Sequence, residues 1–234
     1  MNLKQLQQEV YEANMELVEK QLVISTWGNV SGYDPELNLM VIKASGVPYA
    51  ELKPEHMVPV DLEGNVIDSP YRPSTDTDTH LELYKWFKDK GLHGIVHTHS
   101  RHATVWAQWG RDIPYYGTTH CDYFYGDIPC TRRLTTQEVE EGYEKNTGKI
   151  IIERFQEINP VEMQAVLVRN HAPFTWGKTP KMAVLHAQVL DYVAEMAEMN
   201  WLLSNGACER VPEDVREKHY SRKFGKDAYY GQPK

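Results

Sequence analysis

The sequence predicts an α/β fold whose sheet is largely antiparallel and covered by helices. Three observations carry this. Apolar stretches short enough for strands alternate along the chain with longer stretches of helical period. The early strand-like stretches are joined by short turns bearing glycine and proline, which link antiparallel neighbours. Residues 179–205 read as one long capped helix, enough to cover a sheet.

In chain order, residues 3–20 read as a helix, because Leu3, Leu6, Val10, Tyr11, Met15 and Leu17 follow the helical period. LVIST (22–26) and LMVIK (39–43) read as strands joined through Gly28, Gly32 and Pro35. MVPVDL (57–62) and NVID (65–68), separated by Glu63-Gly64, read as a hairpin. A capped helix is expected over 73–91 with Gly91 at its exit, then a strand, GIVHTH (94–99), and a helix over about 100–109. GDIPCT (126–131) reads as a short strand, 135–146 as a polar helix and AVLVRN (165–170) as a buried strand. In the long helix Thr179 is the N-cap, Pro180 fills the first position, Ala183, Val184, Ala187, Leu190, Val193 and Ala197 make the apolar face, and Gly206 closes it.

No repeat, low-complexity run or linker interrupts the 234 residues, so a single domain over 1–234 is expected. A net charge of −8 argues against a nucleic-acid surface. A small anionic substrate stays open, given a local pocket of donors. The polar start and the lack of a long apolar run predict no signal peptide and no membrane span. The three cysteines, Cys121, Cys130 and Cys208, form no C-x-x-C pair, which suits a reducing, cytoplasmic setting.

The chemistry concentrates in GLHGIVHTHSRHATVW (91–106). On a strand, residues two apart share a face, roughly 6–7 Å apart, so His97 and His99 can reach one metal ion. On a helix they would diverge by about 200°. The alternative is a pair of strand-end histidines that only hydrogen-bond within the fold. Imidazole ligands suit zinc, iron, manganese or copper. Further ligands are needed. His171, at the end of AVLVRN, is the best third imidazole, and STDTDTH offers a carboxylate from Asp76 or Asp78, either of which could instead cap the helix. His102 and His186 read as packing residues, and His56, His80 and His93 have no such setting.

Three small-residue loops, TWGNVSG (26–32), KASG (43–46) and PSTDT (73–77), could admit an anion to backbone N–H groups. The third opens a helix, and Lys43 adds a cation. GTTHCDYFYGDIP (117–129) crowds Thr118, His120, Asp122, Tyr123 and Tyr125 into either an acid–base set or a loop packed on its aromatics. The tail 217–234 carries His219, Tyr220, Phe224, Tyr229 and Tyr230, enough apolar surface to dock, for instance on a neighbouring subunit.

TWGNVS, IKASGV, RPSTDTDTH, GIVHTHSRHATVWAQ, IPYYGTTHCDYFYGDIPCTR, NHAPFTWG, KHYSRKFG and KDAYYGQ together resemble the class II aldolase and adducin family, and its epimerase branch in particular. The resemblance implies a three-layer α/β/α fold with a central mixed, mostly antiparallel sheet. It implies a metal ion, usually zinc with manganese or cobalt as substitutes, on Asp76, His97, His99 and His171. It implies a phosphate held by Asn29, Lys43, Ser45, Gly46, Ser74 and Thr75, and an acid–base pair made of Asp122 and Tyr230, with Thr118 and His219 at further active-site positions. The implied reaction interconverts L-ribulose 5-phosphate and D-xylulose 5-phosphate by breaking and remaking the C3–C4 bond. The family alternatives are an aldolase that releases its aldehyde and a non-catalytic scaffold. The implied assembly is a C4 homotetramer in which the tail, 217–234, reaches the active site of a neighbouring subunit. Four positions depart from the family pattern: Thr75 stands where serine is common, Asp78 where proline is expected, and Arg169-Asn170 where His-Ser is expected.

Overall fold

The computed structural model describes residues 2–231 of the chain. Its strands are β1 (Asn29–Asp34), β2 (Leu39–Lys43), β3 (Met57–Asp61), β4 (Gly94–His97), β5 (Ala165–Leu167) and β6 (Pro173–Gly177). They form one sheet in the order β3-β2-β1-β4-β6-β5, and every neighbouring pair is antiparallel. Among the described residues a parallel element enters only as the isolated bridge between Cys130 and Leu167. The helices are α1 (Leu3–Glu19), α2 (Thr77–Phe87), α3 (Arg101–Trp109), α4 (Thr118–Cys121), α5 (Thr136–Arg154), α6 (Pro180–Leu203) and α7 (Glu213–Phe224).

Alternation along the strands sends apolar side chains to both faces. Met40, Ile42, Ile95, Phe174 and Trp176 join the larger core, which α2 and α5 cover with Leu81, Tyr84, Phe87, Ile150 and Ile151. Val30 and Val96 face the other way, against Leu17 of α1 and Ala183, Val184 and Ala187 of α6. Two helical layers with a sheet between them follow. The approach of α6 to β4 is close enough that a Cβ at Gly94 would meet the Thr179 and Pro180 backbone at 2.4 Å, so only glycine fits there.

Several expectations change at the element level. LVIST is not a strand. Gln21 takes a positive φ, and the Leu22 amide returns to the Leu17 carbonyl, so Leu22 closes α1 as a buried cap residue. The first strand starts instead at Asn29. NVID contributes only a bridge, Val66 to Val60, and 126–131 only two, Ile128 to Ile113 and Cys130 to Leu167. Residues 73–76 form a loop, and α2 begins at Thr77. The helix expected over 135–146 continues to Arg154 through a break at Gly142, with φ 150° and ψ 87°. The strand expected over 165–170 stops at Leu167, because Asn170 turns the chain with a positive φ and leads it into β6. The tail holds a further helix, α7.

Candidate active site

Three loops at one end of the sheet converge on a cavity of about 460 Å³. β4 delivers His97 as its last residue, and His99 follows just beyond the strand end. His171 sits in the turn between β5 and β6. The three rings form a near-equilateral triangle, with centroid separations of 5.0 Å (97–99), 4.8 Å (97–171) and 5.1 Å (99–171). One nitrogen from each lies within 4.8 Å of the others.

The protonation pattern suits a cation. His97 Nδ1 lies 3.0 Å from the Pro173 carbonyl oxygen, which can only accept, so Nδ1 donates there and Nε2 is the nitrogen left for a ligand. Burial and the neighbouring imidazoles push the pKa of His171 down to about 3, and the same causes lower that of His99. Neutral imidazoles are the form that binds metal. The buried His171 Nδ1 has no hydrogen-bond partner among the described residues. Such a cluster of nitrogens fits a divalent ion.

Asp76, immediately before α2, faces the same cavity. Its Oδ2 accepts from Asn29 Nδ2 at 2.7 Å and Ser74 Oγ at 3.4 Å. Burial would raise its pKa, but His97, His80 and the Asn29 hydrogen bond outweigh burial and hold it below the usual carboxylate range. Asp78 is exposed on the first turn of α2 and does not line the cavity.

The same cavity is also lined by Lys43, Ser45, Gly46, Ser74 and Thr75. Lys43 is buried, and burial lowers its pKa. Its Nζ reaches only the Thr26 and Ala44 carbonyls, each at 3.4 Å, and the Tyr49 ring, with no carboxylate in ion-pair range among the described residues. A buried cation without a counter-ion is a place for an anion. The backbone contributes less than the sequence suggested. The Ser45 amide donates to the Arg72 carbonyl and the Ser74 amide to the Lys43 carbonyl, stitching the two loops together. The Ser74 hydroxyl is engaged as well, donating to Asp76 Oδ2 at 3.4 Å and accepting from Asn29 Nδ2 at 3.2 Å. No atom lies within 4 Å of where a Cβ on Gly46 would stand.

Asp122, Thr118, His219 and Tyr230 do not line this cavity. They gather in a second cluster, where α7 packs on the short α4. Asp122 Oδ1 accepts from His219 Nδ1 at 3.0 Å and from Arg222 Nη2 at 2.8 Å, and Oδ2 accepts from Arg222 Nη2 at 2.8 Å. Lys223 Nζ stands 3.7 Å from Oδ2. Burial raises the Asp122 pKa, but the hydrogen bonds from Arg222 and His219 and the charge of Lys223 outweigh burial and leave it lowered. Tyr230 is largely exposed, its ring beside Arg222 and Lys223.

Sequence reasoning missed Tyr143 and Glu144, which line the cavity directly after the break at Gly142. The available signal was a glycine inside a helical run. It also passed over His80, which is fully buried, hydrogen-bonds to Ser31 Oγ at 2.7 Å and has its pKa driven down to about 3 by burial. Its position one turn after Asp76 was the clue.

Comparison with known proteins gives a consistent result. Residues 8–197 match the model for the class II aldolase and adducin N-terminal domain. A protein of Salmonella paratyphi C named L-ribulose-5-phosphate 4-epimerase UlaF is 50% identical over 232 residues, covering 98% of this chain and 100% of its own length. Its counterpart in Salmonella choleraesuis matches to the same extent. Among solved structures, an L-fuculose 1-phosphate aldolase superposes with a TM-score of 0.76 at 25% identity, over 95% of this chain and 97% of its own. One from Thermus thermophilus, at 23% identity and a TM-score of 0.63 over 88% and 98%, shares the fold. Among the described residues no helix is long and apolar enough to cross a membrane.

Proposed function

This chain belongs to the class II aldolase and adducin family, and we propose that it works there as a metal-dependent epimerase interconverting L-ribulose 5-phosphate and D-xylulose 5-phosphate. The observation that carries this is the pairing, within one cavity, of a three-imidazole triangle with a buried, counter-ion-free lysine. The imidazoles suit a cation and the lysine a phosphate, as a chelating ketose phosphate requires. Half the residues are shared with relatives named for this reaction, which favours it over an aldolase.

His97, His99, His171 and Asp76 would hold the ion, with zinc the expected metal and manganese or cobalt able to replace it. When bound, it supplies Lewis acidity for the negative charge that develops on the ketone side as the C3–C4 bond breaks. Removing the C4 proton directly would give no stabilised anion, since C4 is not adjacent to the C2 carbonyl. Cleaving C3–C4 avoids this. Asn29, Lys43, Ser45, Gly46, Ser74 and Thr75 hold the phosphate, so the glycolaldehyde phosphate fragment stays in place while its aldehyde turns over. In one direction Asp122 takes the C4 hydroxyl proton and Tyr230 returns one on the opposite face; in the other the roles exchange. Thr118 and His219 support that pair.

Asp122 and Tyr230 stand outside the cavity of their own chain, which supports an assembly in which a neighbouring copy supplies them. The reading is a single domain, 1–234, whose tail, 217–234, serves the next subunit of a C4 homotetramer in the cytoplasm. The test is a product assay with L-ribulose 5-phosphate. Xylulose 5-phosphate should form without free glycolaldehyde phosphate. Stoichiometric release of glycolaldehyde phosphate would make the protein an aldolase, and no turnover in metal-loaded protein would make it a scaffold.

A further inference from the structure

The second cluster holds two cations that the reaction scheme does not use, Arg222 and Lys223. Arg222, in the last turn of α7, donates to Asp122 from Nη2, at 2.8 Å to each carboxylate oxygen, and from Nε at 3.2 Å. The carbon at the centre of the same guanidinium lies 5.2 Å from the centre of the Tyr230 ring. The Arg222 carbonyl accepts from the amides of both Tyr229 and Tyr230 at 3.0 Å. Residues 226–231 carry two exposed tyrosines, Tyr229 and Tyr230, and these contacts tie them to α7.

We propose that Arg222 is a positioning residue that clamps both members of the acid–base pair, Asp122 by a forked hydrogen bond and Tyr230 by the face of its ring, so that the two reach the substrate as one preassembled unit. This rests on the epimerase reading for its catalytic consequence, but not for the clamp itself. Arginine suits the task because its planar fork can bond a carboxylate along one edge while its face lies on an aromatic ring. Lys223, with Nζ 4.5 Å from the centre of the Tyr230 ring and 4.2 Å from that of Tyr123, adds charge but cannot supply the fork. The charged and titratable groups facing Asp122 are Arg222, His219 and Lys223 from α7 and Cys121 from α4. Arg222 therefore supplies a large share of the positive charge that keeps this carboxylate ionised.

The experiment compares Arg222→Met and Arg222→Lys with wild type by two independent readouts. In hydrogen exchange, the amides of Tyr229 and Tyr230 should exchange roughly tenfold faster in Arg222→Met, because the ring no longer has its seat. In kinetics, kcat should fall about a hundredfold while KM stays within about threefold. The acid limb of kcat should move up by about one pH unit in Arg222→Met and return most of the way in Arg222→Lys, which restores charge without the fork. Placed on an Asp122→Asn background, Arg222→Met should cost less than about threefold more, since the two act as a unit. A raised KM with unchanged kcat would make Arg222 a substrate-binding cation and overturn the proposal, as would full additivity with Asp122→Asn or unchanged exchange in the tail. If wild-type protein fails the product assay, the epimerase reading falls, and the exchange data alone decide whether the clamp exists.

Discussion

Lys43 is the residue where burial and charge conflict most openly. Its side chain is buried, its ammonium has only two long carbonyl contacts and a ring among the described residues, and burial depresses its pKa. An anion beside it would relieve that conflict. Lys43→Met should therefore raise KM for ribulose 5-phosphate by roughly 10–100-fold, the weight of a charge-assisted hydrogen bond. Metal content should stay at the wild-type level, and the unphosphorylated sugar should show no such loss. Steady-state kinetics on both sugars checks this. At this scale the sequence was most informative where spacing implied geometry. His-x-His at a strand end and a hydroxyl-rich turn before a helix each admit few arrangements. Tyr143 and Glu144 were missed because a backbone break turns them into the cavity, and the glycine before them was its sole local sign.

That break is a property of α5. At Gly142 the helix adopts a φ of 150°, a conformation natural to glycine and strained for other residues. A Cβ there would meet nothing closer than Lys145 Cβ at 3.9 Å, so Gly142→Ala would suffer from backbone strain and not from a clash. The cost should be about 1–3 kcal/mol in a urea titration. If the helix straightens to escape it, kcat should fall as Tyr143 and Glu144 leave the cavity. An unchanged urea midpoint with unchanged kcat would show that the break has no strain to protect. Other elements were legible to different degrees for related reasons. α1 and α6 combine periodicity with good caps, Asn2 and Thr179, so local and tertiary preferences agree. LVIST misled because the apolar residue after a helix can serve as its cap contact instead of starting a strand. β6 hid behind the turn signals of Asn170 and Pro173, and α7 behind a polar composition with no buried residue.

At the scale of the molecule, two features set behaviour. The first is that Asp122 and Tyr230, proposed as the acid–base pair, do not line the cavity of their own chain. If neighbouring subunits complete each other's sites, an inactive His97→Asn protein and an inactive Tyr230→Phe protein should complement when unfolded and reassembled together. In a closed ring, random mixing pairs an intact cavity with an intact tail at about a quarter of the sites, so about that fraction of activity should return. Activity no higher than in the separate variants would place both functions in one chain. The second feature is burial of neutral histidines away from the cavity. Burial pushes His120 down to about 4 and lowers His186. As pH drops below about 6.5 the unfolded chain takes up protons that these folded-state imidazoles refuse, so stability present at pH 7 is lost progressively toward pH 4. For His120 the loss is on the order of 2–3 kcal/mol. Urea titrations of metal-free protein at pH 7, 6 and 5 should show a falling midpoint; a flat one would contradict this.

The central claim is that one divalent ion, held by His97, His99, His171 and Asp76, makes the carbon–carbon cleavage possible. The direct test strips the protein with a chelator, reloads it with zinc in steps, and measures bound metal and xylulose 5-phosphate formation on the same samples. Turnover should rise in proportion to occupancy and saturate at one ion per chain, and His97→Asn should neither fill nor turn over. Full turnover by protein free of metal would contradict the claim outright.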